Sequence, residues 1–140
     1  MYSVTREISF CYGHRLLNYG GKCRHLHGHN GTAVITLEGE HLDDRGMLVD
    51  FTDLKTVMGQ WIDENLDHRM LLRHDDPVLP ALHALGEPVF VMETNPTAEA
   101  IARLLFDAAT AHHFPVVEVR LWETESSVAT YAPRGSERRT

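Results

Sequence analysis

At 140 residues the chain is long enough to form one core, and a domain of this size removes about 70% of its unfolded surface from water. A formal charge of -7 argues against nonspecific nucleic-acid binding, which depends on neutralising phosphates with Lys and Arg, but leaves room for a small anion at a local basic cluster. Cys11 and Cys23 make no disulfide framework, no apolar run is long enough to span a bilayer, and the first residues lack signal-peptide order, so a cytoplasmic protein is expected.

In chain order, residues 2–14 alternate, with Val4, Ile8 and Phe10 on one side and Ser3, Thr5, Glu7 and Ser9 on the other, the pattern of a half-buried strand. The loop Asn18-Tyr19-Gly20-Gly21-Lys22 leads to a histidine cluster and a second strand to about Glu40. Asp43-Asp44-Arg45-Gly46 is turn chemistry. Thr52 or Asp53 is then expected to cap a helix with Leu54, Val57, Met58, Trp61 and Ile62 on one face. Asp75-Asp76-Pro77 and Gly86-Glu87-Pro88 bracket a short helical insert, followed by a short strand over 89–92. Asn95 and Pro96 supply an N-cap and N1 proline for a second long helix that turns Ile101, Leu104, Leu105, Ala108 and Ala109 inward. Val117, Val119 and Leu121 alternate in a further strand, then comes a strand over 128–132 and a polar tail from Pro133 to Thr140. This order predicts a single α+β domain over residues 1–132, with both long helices on one face of an antiparallel sheet.

The chemistry concentrates in His14, His27 and His29. Residues two apart in a strand point to the same side, so His27 and His29 can lean onto one ion. His14 shares parity with Val4, Ile8 and Phe10, and the other two share parity with Ala33, Ile35 and Leu37. An isolated histidine is more often a surface group. Three imidazoles facing a core need a partner, and zinc is the natural one, with a fourth position left open in a catalytic site. Cys23, four residues before His27, is either an activated thiol beside that cation or a fourth ligand closing a structural site. Asp67 and His68 can form a proton-transfer pair for a thiol, against the plainer reading of a solvated helix end. Glu123 continues the inward parity of Val117, Val119 and Leu121, and a carboxylate on that side needs a partner, which a ligand can provide.

These residues together resemble the 6-pyruvoyltetrahydropterin synthase superfamily, and the Cys23-x-x-x-His27-Gly-His29 spacing is similar to its 6-carboxytetrahydropterin synthase branch, which serves queuosine synthesis. The resemblance runs from Phe10-Cys-Tyr-Gly-His14 through Gly46-Met-Leu-Val-Asp50-Phe51, Leu66-Asp-His68, Asn95-Pro-Thr-Ala-Glu99 and Trp122-Glu-Thr124 to about Tyr131. It implies a tunnelling fold: a four-stranded antiparallel sheet with two helices on one side, trimerising into a barrel, with two trimers stacked as a hexamer and active sites between subunits. It implies zinc on His14, His27 and His29, Cys23 as catalytic thiol, Asp67 and His68 as its proton-transfer partners, and Glu123, supported by Thr97, on the pterin. The substrate implied is 7,8-dihydroneopterin triphosphate. Lys22, Arg24, Arg69 and Arg73 are triphosphate contacts or simply solvated charges. Two motifs depart from the family pattern. Its common Phe-Ser-Ala-Ala-His opening is Phe10-Cys11-Tyr12-Gly13-His14, and the asparagine usual after Leu-Asp-His-x-x-Leu is Leu72. The segment from Leu72 to Glu93 also looks longer than in typical bacterial members. Three products stay open at this point, namely 6-carboxy-, 6-pyruvoyl- and, by an aldolase-like route, 6-hydroxymethylpterin, as does a noncatalytic zinc- or pterin-binding module.

Overall fold

In the computed structural model, which describes residues 1–133, the alternating segments form two long strands, β1 (Tyr2–His14) and β2 (His27–Gly39). They pair antiparallel over their whole length, with Tyr2 opposite Gly39 and His14 opposite His27. The sheet continues through β3 (Arg69–Arg73), β4 (Val89–Met92), β5 (Val116–Trp122) and β6 (Val128–Tyr131), in the order β4-β3-β1-β2-β5-β6. The expected tail lies, apart from Pro133, outside the described residues.

The sheet thus has six strands, where the resemblance implies four, and it is mixed. The strands β3 and β4 run parallel to β1 and to each other. Parallel neighbours need a crossover, and residues 74–88, carrying the short helix α2 (Leu79–Ala84), provide it. The sequence reading passed over β3 because Leu71 and Leu72 are both buried, so this five-residue strand lacks the alternation that reveals a half-covered one.

The two long helices are α1 (Phe51–Asn65) and α3 (Ala98–Ala111). Their caps differ from expectation in both cases. Asp50, two residues ahead of Thr52, caps α1 by accepting from the Thr52 N–H at 2.8 Å. Thr97 caps α3 by accepting from the Ala100 N–H at 3.1 Å. Asn95 is released for a different task, because its amide exchanges two hydrogen bonds with the backbone of Leu17, at 2.9 and 2.8 Å. The core follows the parity read in the strands. Phe10 and Tyr12 of β1, Ala33, Ile35 and Leu37 of β2, and Val119 and Leu121 of β5 are buried against Leu54, Met58 and Ile62 of α1 and Ile101, Leu105 and Ala109 of α3.

Candidate metal and ligand site

The site grows out of the β1–β2 register. His14 faces His27 across the ladder and Tyr12 faces His29, so one inward-pointing set delivers three imidazoles with ring centroids 4.6 to 5.1 Å apart. The side chain of His14 is 2% exposed. Its Nδ1 lies 2.6 Å from the Pro96 carbonyl, and Nδ1 of His27 lies 2.7 Å from the His25 carbonyl. A carbonyl only accepts, so each Nδ1 carries the proton and each Nε2 keeps its lone pair. Burial lowers the pKa of His14 against the opposing pull of the Pro96 carbonyl and Glu123, which keeps the ring neutral.

The Nε2 atoms of His14, His27 and His29 are all buried and none makes a hydrogen bond. Glu123, just beyond the end of β5, brings its Oε1 to 2.9 Å from Nε2 of His29 and 4.0 Å from Nε2 of His14. The 2.9 Å contact is close, yet its direction is not that of a hydrogen bond. Among the described residues these three histidines and Glu123 form a group whose donor atoms all lie within 4.8 Å of one another. Three converging, unbonded Nε2 atoms, with His14 and His27 fixed from behind by carbonyls, are the donor set a divalent metal requires. The residues fit such an ion.

Glu123, expected on the ligand, therefore stands at the edge of the histidine group. Cys23 is part of a short 3-10 turn (Lys22–Arg24), partly buried, and outside that group. The turn is tied to the end of β1, where the Leu16 N–H donates to the Cys23 carbonyl at 2.8 Å. Thr97, the cap of α3, directly follows Pro96, whose carbonyl stands behind His14.

Asp67 and His68 form a second locus. The Nδ1 of His68 is 2.7 Å from Oδ2 of Asp67, whose Oδ1 accepts from the Cys11 N–H at 2.9 Å. Although burial opposes it, these bonds from Cys11 and His68 hold the Asp67 carboxyl below its usual range. The backbone of His68 is left-handed, at φ 57°, and its N–H donates to the Cys11 carbonyl. Its side chain is 78% exposed, and it does not join the histidine group within one chain. His68 and Arg69 line an open cleft of about 440 Å³ that they share with Cys11, Met70 and His27. Of the other basic residues, Arg24 is bonded to the Gly20 and Gly21 carbonyls and Arg73 to Asp75.

Two supports escaped the sequence reading. Asp76, which the sequence marks only as a bracket of the short helical insert, has a fully buried carboxylate that accepts from Arg15, next to His14, with Nε to Oδ2 at 2.8 Å, and from the Val78 N–H. A buried pair between distant segments has no periodic signal. The second is Tyr12, 1% exposed, whose hydroxyl is buried without a hydrogen bond. Burial, and then the charge of Glu123, push its pKa far up, so it stays a neutral donor.

The family model for 6-pyruvoyl tetrahydropterin synthase matches residues 3–134. The chain belongs to this family. It is 36% identical over 131 residues to a Rickettsia felis protein named 6-carboxy-5,6,7,8-tetrahydropterin synthase, covering 89% of this chain and 95% of that one. A Haemophilus influenzae protein of the same name is 29% identical, with 94% and 99% covered. The solved structure of Caenorhabditis elegans 6-pyruvoyl tetrahydropterin synthase is similar at a TM-score of 0.71 and 25% identity, covering 95% of this chain and 96% of that one. An uncharacterized protein from Wolinella succinogenes gives 0.79 at 30% identity, with 95% and 98% covered.

Proposed function

We propose that the chain is a zinc-dependent 6-carboxy-5,6,7,8-tetrahydropterin synthase that converts 7,8-dihydroneopterin triphosphate and water to 6-carboxytetrahydropterin, acetaldehyde and triphosphate, in the 7-deazapurine (queuosine) pathway. The observation that carries this reading is the convergence of three unbonded Nε2 atoms beside Glu123, in a chain whose relatives along nearly their full length bear that enzyme's name. His14, His27 and His29 hold the zinc. When bound, zinc supplies a Lewis acid that polarises the oxygens of the substrate side chain.

The remaining steps belong to the protein's own groups. Glu123 accepts two parallel hydrogen bonds from the amino group and ring N–H of the pterin, a fork that a carboxylate matches and an amide does not. Thr97 supports the same ring; its hydroxyl oxygen accepts from the Ala100 N–H, which leaves its hydrogen free to donate. The thiolate of Cys23 takes the proton from the first side-chain carbon, and His68, oriented by Asp67, exchanges protons with that thiol. His68 is exposed and lies outside the histidine group, which supports its acting on the site of a neighbouring subunit in a trimer or hexamer. Its left-handed backbone, fixed by Cys11, is the kind of local cost found at functional positions.

The likeness to a 6-pyruvoyl tetrahydropterin synthase supports a second reading, in which triphosphate leaves and the three-carbon side chain is kept. Incubation of the purified protein with dihydroneopterin triphosphate, followed by mass spectrometry, separates the two. The 6-carboxy product with acetaldehyde is expected. A 6-pyruvoyl product selects the second reading, and unreacted substrate with a zinc-loaded protein overturns both.

A further inference from the structure

Among the described residues four buried side-chain polar atoms lack a hydrogen bond: Nε2 of His14, His27 and His29, and the hydroxyl of Tyr12. The three nitrogens have a common destination in a metal ion. The hydroxyl does not, and a buried hydroxyl is normally paired. Nε2 of His29 lies 2.9 Å from Oε1 of Glu123 without a hydrogen bond, and once its lone pair is directed at an ion it offers the carboxylate no proton. One donor and one acceptor are left over in the same small volume. The ring of Tyr12 is 5.3 Å from that of His14 and 5.7 Å from that of His29, and Oε1 of Glu123 stands 4.0 and 2.9 Å from Nε2 of the same two histidines. The room for this ring is built in: a Cβ on Gly31 would stand 3.0 Å from Tyr12 Cε1.

We propose that Tyr12 is a positioning residue for the ligand-binding acid: in the metal-loaded protein its hydroxyl donates to the Glu123 carboxylate and holds it in the orientation that receives the guanidine-like edge of the pterin. That bond would hold the acid away from the histidines once their nitrogens are engaged by the ion. This rests on the pterin reading for the identity of the ligand, and on the metal fit for the state in which the bond forms.

Two experiments test it. The first is a crystal structure of the zinc-loaded, pterin-free protein, in which Tyr12 Oη is expected about 2.5–2.7 Å from a Glu123 oxygen, the length of a hydroxyl–carboxylate bond; a hydroxyl bonded elsewhere, or to nothing, overturns the proposal. The second is calorimetric titration with biopterin, a nonreactive pterin, of zinc-loaded wild type, Tyr12→Phe, Glu123→Gln and the double variant. Tyr12→Phe is expected to keep wild-type zinc content and to weaken biopterin roughly tenfold, the loss of a hydrogen bond to a charged group. In the Glu123→Gln background it is expected to add nothing, since the two act as one unit. Wild-type affinity in Tyr12→Phe, or losses that multiply in the double variant, overturns the proposal. If wild type takes up zinc but no biopterin, the pterin reading falls, and the crystal structure alone decides for or against the Tyr12–Glu123 bond.

Discussion

His14 and His68 have the same local arrangement, an imidazole Nδ1 against an oxygen at 2.6 and 2.7 Å, and opposite surroundings. The His14 side chain is 2% exposed and its oxygen is the neutral backbone carbonyl of Pro96, just ahead of the α3 cap; that of His68 is 78% exposed and its oxygen belongs to the Asp67 carboxylate. A buried ring facing a carbonyl stays neutral and offers a lone pair, which suits a metal. An exposed ring oriented by a carboxylate is accessible to a reacting group, which suits acid–base work. The contrast teaches that the partner oxygen and the burial, rather than the residue type, decide what a histidine does.

The largest effect that sharpens this comparison is on turnover. His68→Ala is expected to lower kcat by roughly 10²- to 10⁴-fold, the range for a general acid–base group, with metal content unchanged; steady-state kinetics and metal analysis on the same preparation check it. Turnover near wild type would leave Asp67 and His68 as a helix end alone.

Next come the supports of the buried histidines. Asp76→Asn breaks the pair with Arg15 and is expected to cost about 3 kcal/mol in urea unfolding at pH 7, the low end for a buried pair because Arg15 keeps 22% of its side chain exposed. Arg15 first, with the Val78 N–H helping, holds the Asp76 carboxyl below its usual range despite burial. Its contribution is therefore complete above the unfolded pKa of about 3.9 and disappears as pH falls through the lower folded value, so the gap between wild type and variant is expected to close in acid. A gap that stays constant with pH would deny the ion pair. The smallest effect is that of Thr97→Ala, about 1 kcal/mol of stability from the lost cap of α3, read by the same unfolding experiment. A weakening of pterin binding is expected beside it, and unchanged pterin affinity would confine Thr97 to the cap.

The β1–β2 pair was legible in the sequence because it is long, regular and half-covered, so parity alone carried the facing of His14, His27 and His29. The turn at Asp43–Gly46 and the inward faces of both long helices were legible for the same reason, that local chemistry and period agree. Parity failed at β3, where both Leu71 and Leu72 are buried. Neither cap of the long helices was read correctly, since Asp50 and Thr97 stand among several residues able to cap. The Pro96 carbonyl behind His14, the Asn95 clamp on Leu17 and the Arg15–Asp76 pair join segments far apart in sequence, and no local pattern marks such contacts. Tyr12 stood out in the sequence as a departure from the family opening, but its unbonded hydroxyl appears only in three dimensions.

The central claim is an open metal site made by three histidines, with Cys23 free for chemistry. Metal analysis of Cys23→Ala, purified beside wild type and His14→Ala, tests it most directly. Cys23→Ala is expected to retain the full zinc content of wild type while losing activity, and His14→Ala to lose the metal. Loss of zinc from Cys23→Ala would put the thiol into the coordination shell and contradict the account.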